Sequence, residues 1–242
     1  MARHSHWHNI QLKKGKADAK KAGAFAKLAK NITVAAKDGG GDPAFNFKLR
    51  VAVEAAKAVS MPKDNIERAI QRGTGGGEGA ALEEVVYEGF APGGVAMLVV
   101  CLTDNRNRSV AEVKTAASKN GGSIGAAGSV MWMFEKKGIV VMGAESGGQK
   151  AQGEEFDLVL IDAGAEDIRR SAEAVEIVCA VKDLQKVVEA VENLGLKPDA
   201  ATIEYIAKTT TTVDSANREA VDACIEAIED LDDVDAVYTN ER

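Results

Sequence analysis

Three histidines open the chain at alternate positions, His4, His6 and His8, and imidazoles at that spacing can chelate a transition metal. No cysteine or carboxylate stands beside them to complete a coordination shell, so no metal site is expected there. Trp7, among them, could stack on a base as aromatic side chains do in single-strand binding; the competing reading is an apolar anchor for the N-terminus. The run from Gly75 to Ala80 satisfies a loose dinucleotide fingerprint, yet it follows a helical pattern rather than a strand, which is the wrong context for a pyrophosphate cradle. No glycine loop precedes Lys-Ser or Lys-Thr, and no serine sits in a strand-to-helix elbow with a histidine to serve it. No catalytic residue and no cofactor are therefore expected. Asp230, Asp232, Asp233 and Asp235 lack the glycine and spacing of a calcium loop and read as a solvated acidic face. Cys101, Cys179 and Cys224 are odd in number and lie in apolar runs, the pattern of reduced core thiols.

What remains is charge, and its two signs are segregated. The 242 residues carry a net charge of -7, but residues 1–72 hold 15 Lys plus Arg against 6 Asp plus Glu, a balance of +9, while the rest of the chain stands at -16. Such asymmetry suits a chain in which one segment meets a polyanion. Between Asp18 and Lys37, at 100° per residue, Phe25, Leu28, Ile32 and Ala36 share one side. Lys20, Lys27, Lys30 and Lys37 share the other, so half of the helix is expected to pack and half to face outward with lysines. Lys13, Lys14, Lys16, Arg50, Lys63, Arg68 and Arg72 complete the candidate phosphate-binding set, with Trp7 as the candidate stacking residue.

The elements that must hold these residues fall into two regimes. Up to Arg72 the sequence is rich in Ala and Lys and predicts three helices, 18–37, 44–59 and 62–72, closed by a glycine run that reads as a linker. Beyond it, strands are expected at 85–90, 95–103, 129–134, 138–142, 175–181, 201–207 and 234–239, with helices at 109–119, 154–163, 183–194 and 216–230. Short strands alternating with helices of this length predict an α+β chain: an N-terminal helical bundle followed by two ferredoxin-like α/β units. Spacing alone leaves open which unit owns the last helix and strand. No apolar run approaches the ~20 residues that cross a bilayer and no secretory signal opens the chain, so a cytoplasmic protein without membrane contact is expected.

Several segments taken in order resemble the YebC family: His4-Ser5-His6-Trp7 with Asn9-Ile10, Ile32-Thr33-Val34-Ala35-Ala36, Gly39-Gly40-Gly41-Asp42-Pro43, and above all Met61-Pro62-Lys63-Asp64-Asn65-Ile66-Glu67-Arg68-Ala69-Ile70. The similarity continues through Tyr87-Glu88-Gly89, Thr103-Asp104-Asn105-Arg106-Asn107-Arg108 and Leu231-Asp232-Asp233-Val234. It departs at Arg3 and at Gln11-Leu12, although Lys13, Lys14 and Lys16 keep the stretch basic. That family includes bacterial proteins described as transcriptional regulators and a mitochondrial translational activator of cytochrome oxidase. The resemblance implies a basic helical nucleic-acid-binding domain at 1–78, a second domain at 79–134 and 208–242, and a third, at 135–207, inserted in the second.

The resemblance also implies nucleic-acid binding without catalysis. The expectation is thus a non-enzymatic regulator of gene expression that associates with the ribosome, binds ribosomal RNA and eases synthesis of proline-rich stretches. Lysine-rich surfaces suit backbone contacts, whereas base readout draws on clustered Arg, Asn or Gln, for which Arg68, Gln71 and Arg72 are the candidates. The first alternative is a DNA-binding transcriptional regulator. The second is a sensor holding a small molecule between ferredoxin-like sheets.

Overall fold

A computed structural model describes residues 18–76, 81–143, 153–171 and 174–241. The first three elements are helices: α1 (Asp18–Gly39), α2 (Phe47–Ala58) and α3 (Lys63–Gly73). Leu28, Ile32, Ala35 and Ala36 of α1 pack against Leu49, Val53 and Ala56 of α2 and against Met61, Ile66 and Ala69, forming a core of their own. Asn46 starts α2: its Oδ1 accepts from the Leu49 amide at 3.1 Å, while its Nδ2 donates to the carbonyls of Ala35 at 2.7 Å and Gly40 at 2.8 Å. The Asp42-Pro43 segment is therefore a turn rather than the expected helix start. Gly73, expected in a linker, instead packs the end of α3 onto α1, where an added Cβ would lie 2.3 Å from the Thr33 carbonyl oxygen.

Among the described residues, eight strands and four further α-helices follow: β1 (Glu83–Ala91), β2 (Val95–Thr103), α4 (Arg106–Lys119), β3 (Ser123–Ile124), β4 (Phe134–Gly143), α5 (Glu154–Ala163), β5 (Ala165–Arg170), β6 (Ala174–Ala180), α6 (Leu184–Asn193), β7 (Ala200–Ala207), α7 (Ser215–Glu229) and β8 (Val234–Thr239). They form two four-stranded sheets ordered β3-β1-β2-β8 and β5-β6-β4-β7. In the first, β1 and β2 make an antiparallel hairpin from Glu83↔Thr103 to Ala91↔Val95, and β8 pairs antiparallel with β2. The last helix and strand therefore complete the first sheet. Met97, Val99 and Cys101 face Val113 and Ala117 of α4 and Val221, Cys224, Ile225 and Ile228 of α7, so both helices lie on one face. All nine residues of β2 are buried, which requires cover on both faces; α1 approaches β2 and β8.

Contacts divide the chain into two compact units, Met1–Glu135 with Ala207–Arg242, and Lys136–Ile206. The first holds the helical block and the first sheet. In the second, α5 packs beside α6, whose Leu184, Val187 and Val191 are buried, and α6 lies against β6.

Two expectations are corrected. Residues 129–133 are not a strand but a tight turn over Met131–Met133 that leaves Trp132 65% exposed, and β4 begins only at Phe134. The cause is Glu88: its buried carboxylate accepts from the amides of Gly128, Val130 and Met131 at 2.6 to 2.8 Å, which occupies the donors a ladder would need. Burial raises the Glu88 pKa, and these three amides outweigh it and hold it below the usual carboxylate value. The second correction is β5, which lies in a stretch with no strand signal, Ala-Glu-Asp-Ile-Arg-Arg; it is a charged edge strand pairing only with β6.

Candidate nucleic-acid interface

Residues 1–17 lie outside the described residues, and with them Trp7, Lys13, Lys14, Lys16 and the three histidines; Lys20 lies in α1, with its side chain outside them as well. Among the described residues no three His, Cys, Asp or Glu side chains are grouped to hold a metal ion, and no helix is long and apolar enough to cross a membrane.

Lys27 and Lys30 of α1 do not face outward, which corrects the expectation for these two, whereas Lys37 is exposed. Lys27 Nζ donates to the carbonyl of Glu229 at the end of α7. Lys30 Nζ donates to the Asp232 carbonyl at 2.9 Å and to Asp233 Oδ1 at 2.7 Å, and Asn31 Nδ2 donates to Asp235 Oδ1 at 2.6 Å. Lys37 Nζ reaches the carbonyl of Leu82 at 2.9 Å. The acidic segment read as solvated thus receives the lysines read as free. Carboxylates, together with carbonyls at a helix C-terminus, where the dipole favours cations, let the stripe dock instead of remaining in water.

Asp233 is the centre of this contact. Its Oδ2 accepts from Thr103 Oγ1 at 3.0 Å, Ser109 Oγ at 3.1 Å and Arg108 Nη2 at 2.7 Å, while Oδ1 takes Lys30. Burial by itself raises the carboxyl pKa, but the bonds from Lys30, Arg108 and Thr103 prevail and lower it to about 2.

Most outward cations among the described residues of the helical block lie on α2 and α3. Lys57, Lys63, Arg68 and Arg72 are exposed, and Lys48 is exposed beside Asp38 at 3.5 Å. Lys63 pairs loosely with Glu67 at 3.3 Å, and Arg68 donates to Asn65 Oδ1 and to the Asp64 carbonyl at 3.2 Å. Arg50 is half-buried, its guanidinium 5.1 Å from the centre of the Phe47 ring. On α3 the apolar side, Ile66, Ala69 and Ile70, turns inward, leaving Lys63, Asp64, Glu67, Arg68, Gln71 and Arg72 on the water side. Val59, Ser60, Met61 and Pro62 join α2 to α3, with Ser60 in the left-handed region at φ 63° and the Met61 amide donating to the Ala56 carbonyl at 3.0 Å. The structure thus brings Lys63, Arg68 and Arg72 onto one helix, sets Arg50 on the neighbouring one, withdraws Lys27 and Lys30, and leaves Lys37 exposed at the end of α1. Lys48 and Lys57 were passed over by the sequence reading, and their signal, a polar position every third or fourth residue of α2, was available.

The helical block matches the N-terminal domain model of TACO1/YebC proteins over residues 5–76, and the remainder matches the TACO1/YebC second and third domain over residues 82–241. The chain belongs to the TACO1/YebC family. Among its relatives are proteins each named a probable transcriptional regulatory protein. One from Geobacter sulfurreducens is 47% identical over 99% of this chain and 95% of its own length, and one from Herpetosiphon aurantiacus is 45% identical over 99% and 94%. The crystal structure of a conserved hypothetical protein from Aquifex aeolicus superposes with a TM-score of 0.87 at 41% identity, covering 98% of this chain and 97% of the other.

Proposed function

We propose that this protein is a non-enzymatic, nucleic-acid-binding regulator of gene expression that engages phosphates through the α2–α3 surface, and that its target is ribosomal RNA on the translating ribosome. The carrying observation is the division of labour among its cations: Lys27 and Lys30 of α1 are spent within the molecule, whereas Lys57, Lys63, Arg68 and Arg72 face water on adjoining helices. That patch supplies a handful of phosphate contacts, enough for salt-sensitive binding. Asp64 and Glu67 share the water side of α3 with its cations, and carboxylates there oppose insertion between the phosphate walls of a duplex groove. A surface of mixed sign is better matched by a ribosome, where RNA lies beside basic protein. The YebC resemblance supplies the rest of the proposal, assistance to synthesis through proline-rich stretches, in the cytoplasm.

The protein should cosediment with ribosomes at ~0.1 M salt and dissociate as salt rises. Its loss should slow translation of particular messages before their abundance changes. Binding to one promoter about 1,000-fold tighter than to random DNA of equal length, with message levels shifting first, overturns this reading in favour of a transcriptional one. That second reading draws on the four-residue turn between α2 and α3, a helix-turn-helix spacing, and on the names of the relatives.

A further inference from the structure

Phe45 stands just before α2 with 89% of its surface exposed, and among the described residues of the helical block it is the large apolar side chain left in water. Its backbone is held firmly. The Ala44 amide donates to Asp42 Oδ1 at 2.9 Å, the Phe45 amide to the Asp42 carbonyl at 3.1 Å, and the next residue is the buried cap Asn46 with its three bonds. A residue in this position ordinarily folds back on an apolar side chain five residues later, the staple that closes many helix starts. Here that partner is Arg50, which lies over Phe47 instead, so Phe45 has no apolar seat among the described residues. Lys48 and Arg50 follow within one turn of helix.

We propose that Phe45 is a stacking platform for one unpaired nucleobase, with Lys48 and Arg50 beside it to meet the flanking phosphates. Size selects this occupant. A single aromatic ring buries roughly 150 to 250 Å². A stable protein partner covers ~800 Å² on each side. A ring isolated at the start of a helix whose first turn carries Lys48, 3.5 Å from Asp38, and Arg50 therefore matches a base, whose face it can cover, and the two cations match the charge that accompanies every base. Duplex nucleic acid keeps its bases stacked on one another, so the platform selects single-stranded or looped segments. This deepens the proposed function and rests on it.

The test uses the full chain and two probes: a single-stranded RNA of about 12 nucleotides with 2-aminopurine at its centre, and a blunt duplex of the same length. Phe45→Ala should weaken single-strand binding about tenfold and abolish the 2-aminopurine change, with the slope of log affinity against log salt unaltered because no charge is lost. Phe45→Trp should preserve both, whereas Phe45→Leu should behave like Phe45→Ala; duplex affinity should be the same for all four proteins. Binding of Phe45→Ala equal to wild type overturns the platform while leaving the phosphate reading intact. Rescue by Leu, an equal loss on duplex, or a change confined to sedimentation of the protein alone also overturns it, the last by assigning the ring to a protein contact. Failure of the wild type to bind either probe removes the nucleic-acid reading itself, and the platform with it.

Discussion

At the scale of single residues, Asp233 carries the most consequence. Its carboxyl, ordinarily near 3.8, is held at about 2 in the folded chain, so folding is favoured by the ionised form. That contribution is fully present above the ordinary value and is lost as pH falls from about 4 through about 2; the difference amounts to on the order of 2 kcal/mol. Asp233→Asn should therefore lower stability at neutral pH by an amount of that order and flatten the decline between pH 4 and 2, as denaturant titrations at stepped pH would reveal. The thiols behave in the opposite sense. Burial pushes Cys101 up to about 12 and Cys179 up to about 11, and Cys224 is raised as well, so few thiolates exist at pH 8. Ellman's reagent should find all three unreactive in the native protein and label all three after denaturation.

At the scale of elements, α1 and α3 exchange the roles that composition gives them. Lysines dominate the polar side of α1, yet Lys27 and Lys30 end on α7 and on the segment before β8. Replacing both by alanine should lower the melting temperature and leave the salt dependence of nucleic-acid binding nearly unchanged. Replacing Lys63, Arg68 and Arg72 should do the reverse: the log–log salt slope should fall by about 2, at 0.7 to 0.9 per phosphate contact, with melting shifted little because these side chains are exposed. A salt slope that follows the α1 pair rather than the α3 triple would return the interface to α1. Helix positions were legible from local pattern, since α5 occupies the expected 154–163 and α2 starts three residues late because Asn46 caps it. Strand limits were less legible where a distant side chain intervenes. Glu88 takes the amides of residues 128, 130 and 131 and cancels a strand that Val130 to Phe134 would otherwise suit, and β5 exists because β6 offers it a ladder.

At the scale of the whole molecule, the second compact unit enters and leaves the first at neighbouring points. The Lys208 amide donates to the Met133 carbonyl at 2.8 Å, so the chain returns to where it departed. Replacing residues 136–206 by a connection of about four to six Gly and Ser residues should leave a cooperatively folded remainder that retains the helical block and the first sheet. Loss of the sharp thermal transition in that variant would show that the first unit depends on the second.

Local information in the sequence determined the classes of element, the packing side of the first helix through Leu28, Ile32 and Ala36, the buried thiols and the segregation of charge, because periodicity, caps and composition act over a few residues. Only the tertiary structure decided where that charge goes. A lysine facing water and a lysine facing a carboxylate about 200 positions away have the same local pattern, and their difference is made by the fold that brings Asp233 within 2.7 Å of Lys30. The same reason hid Phe45. An exposed phenylalanine and a core phenylalanine are alike in sequence until the fold sets an arginine, itself turned to Phe47, where the ring's apolar partner would stand.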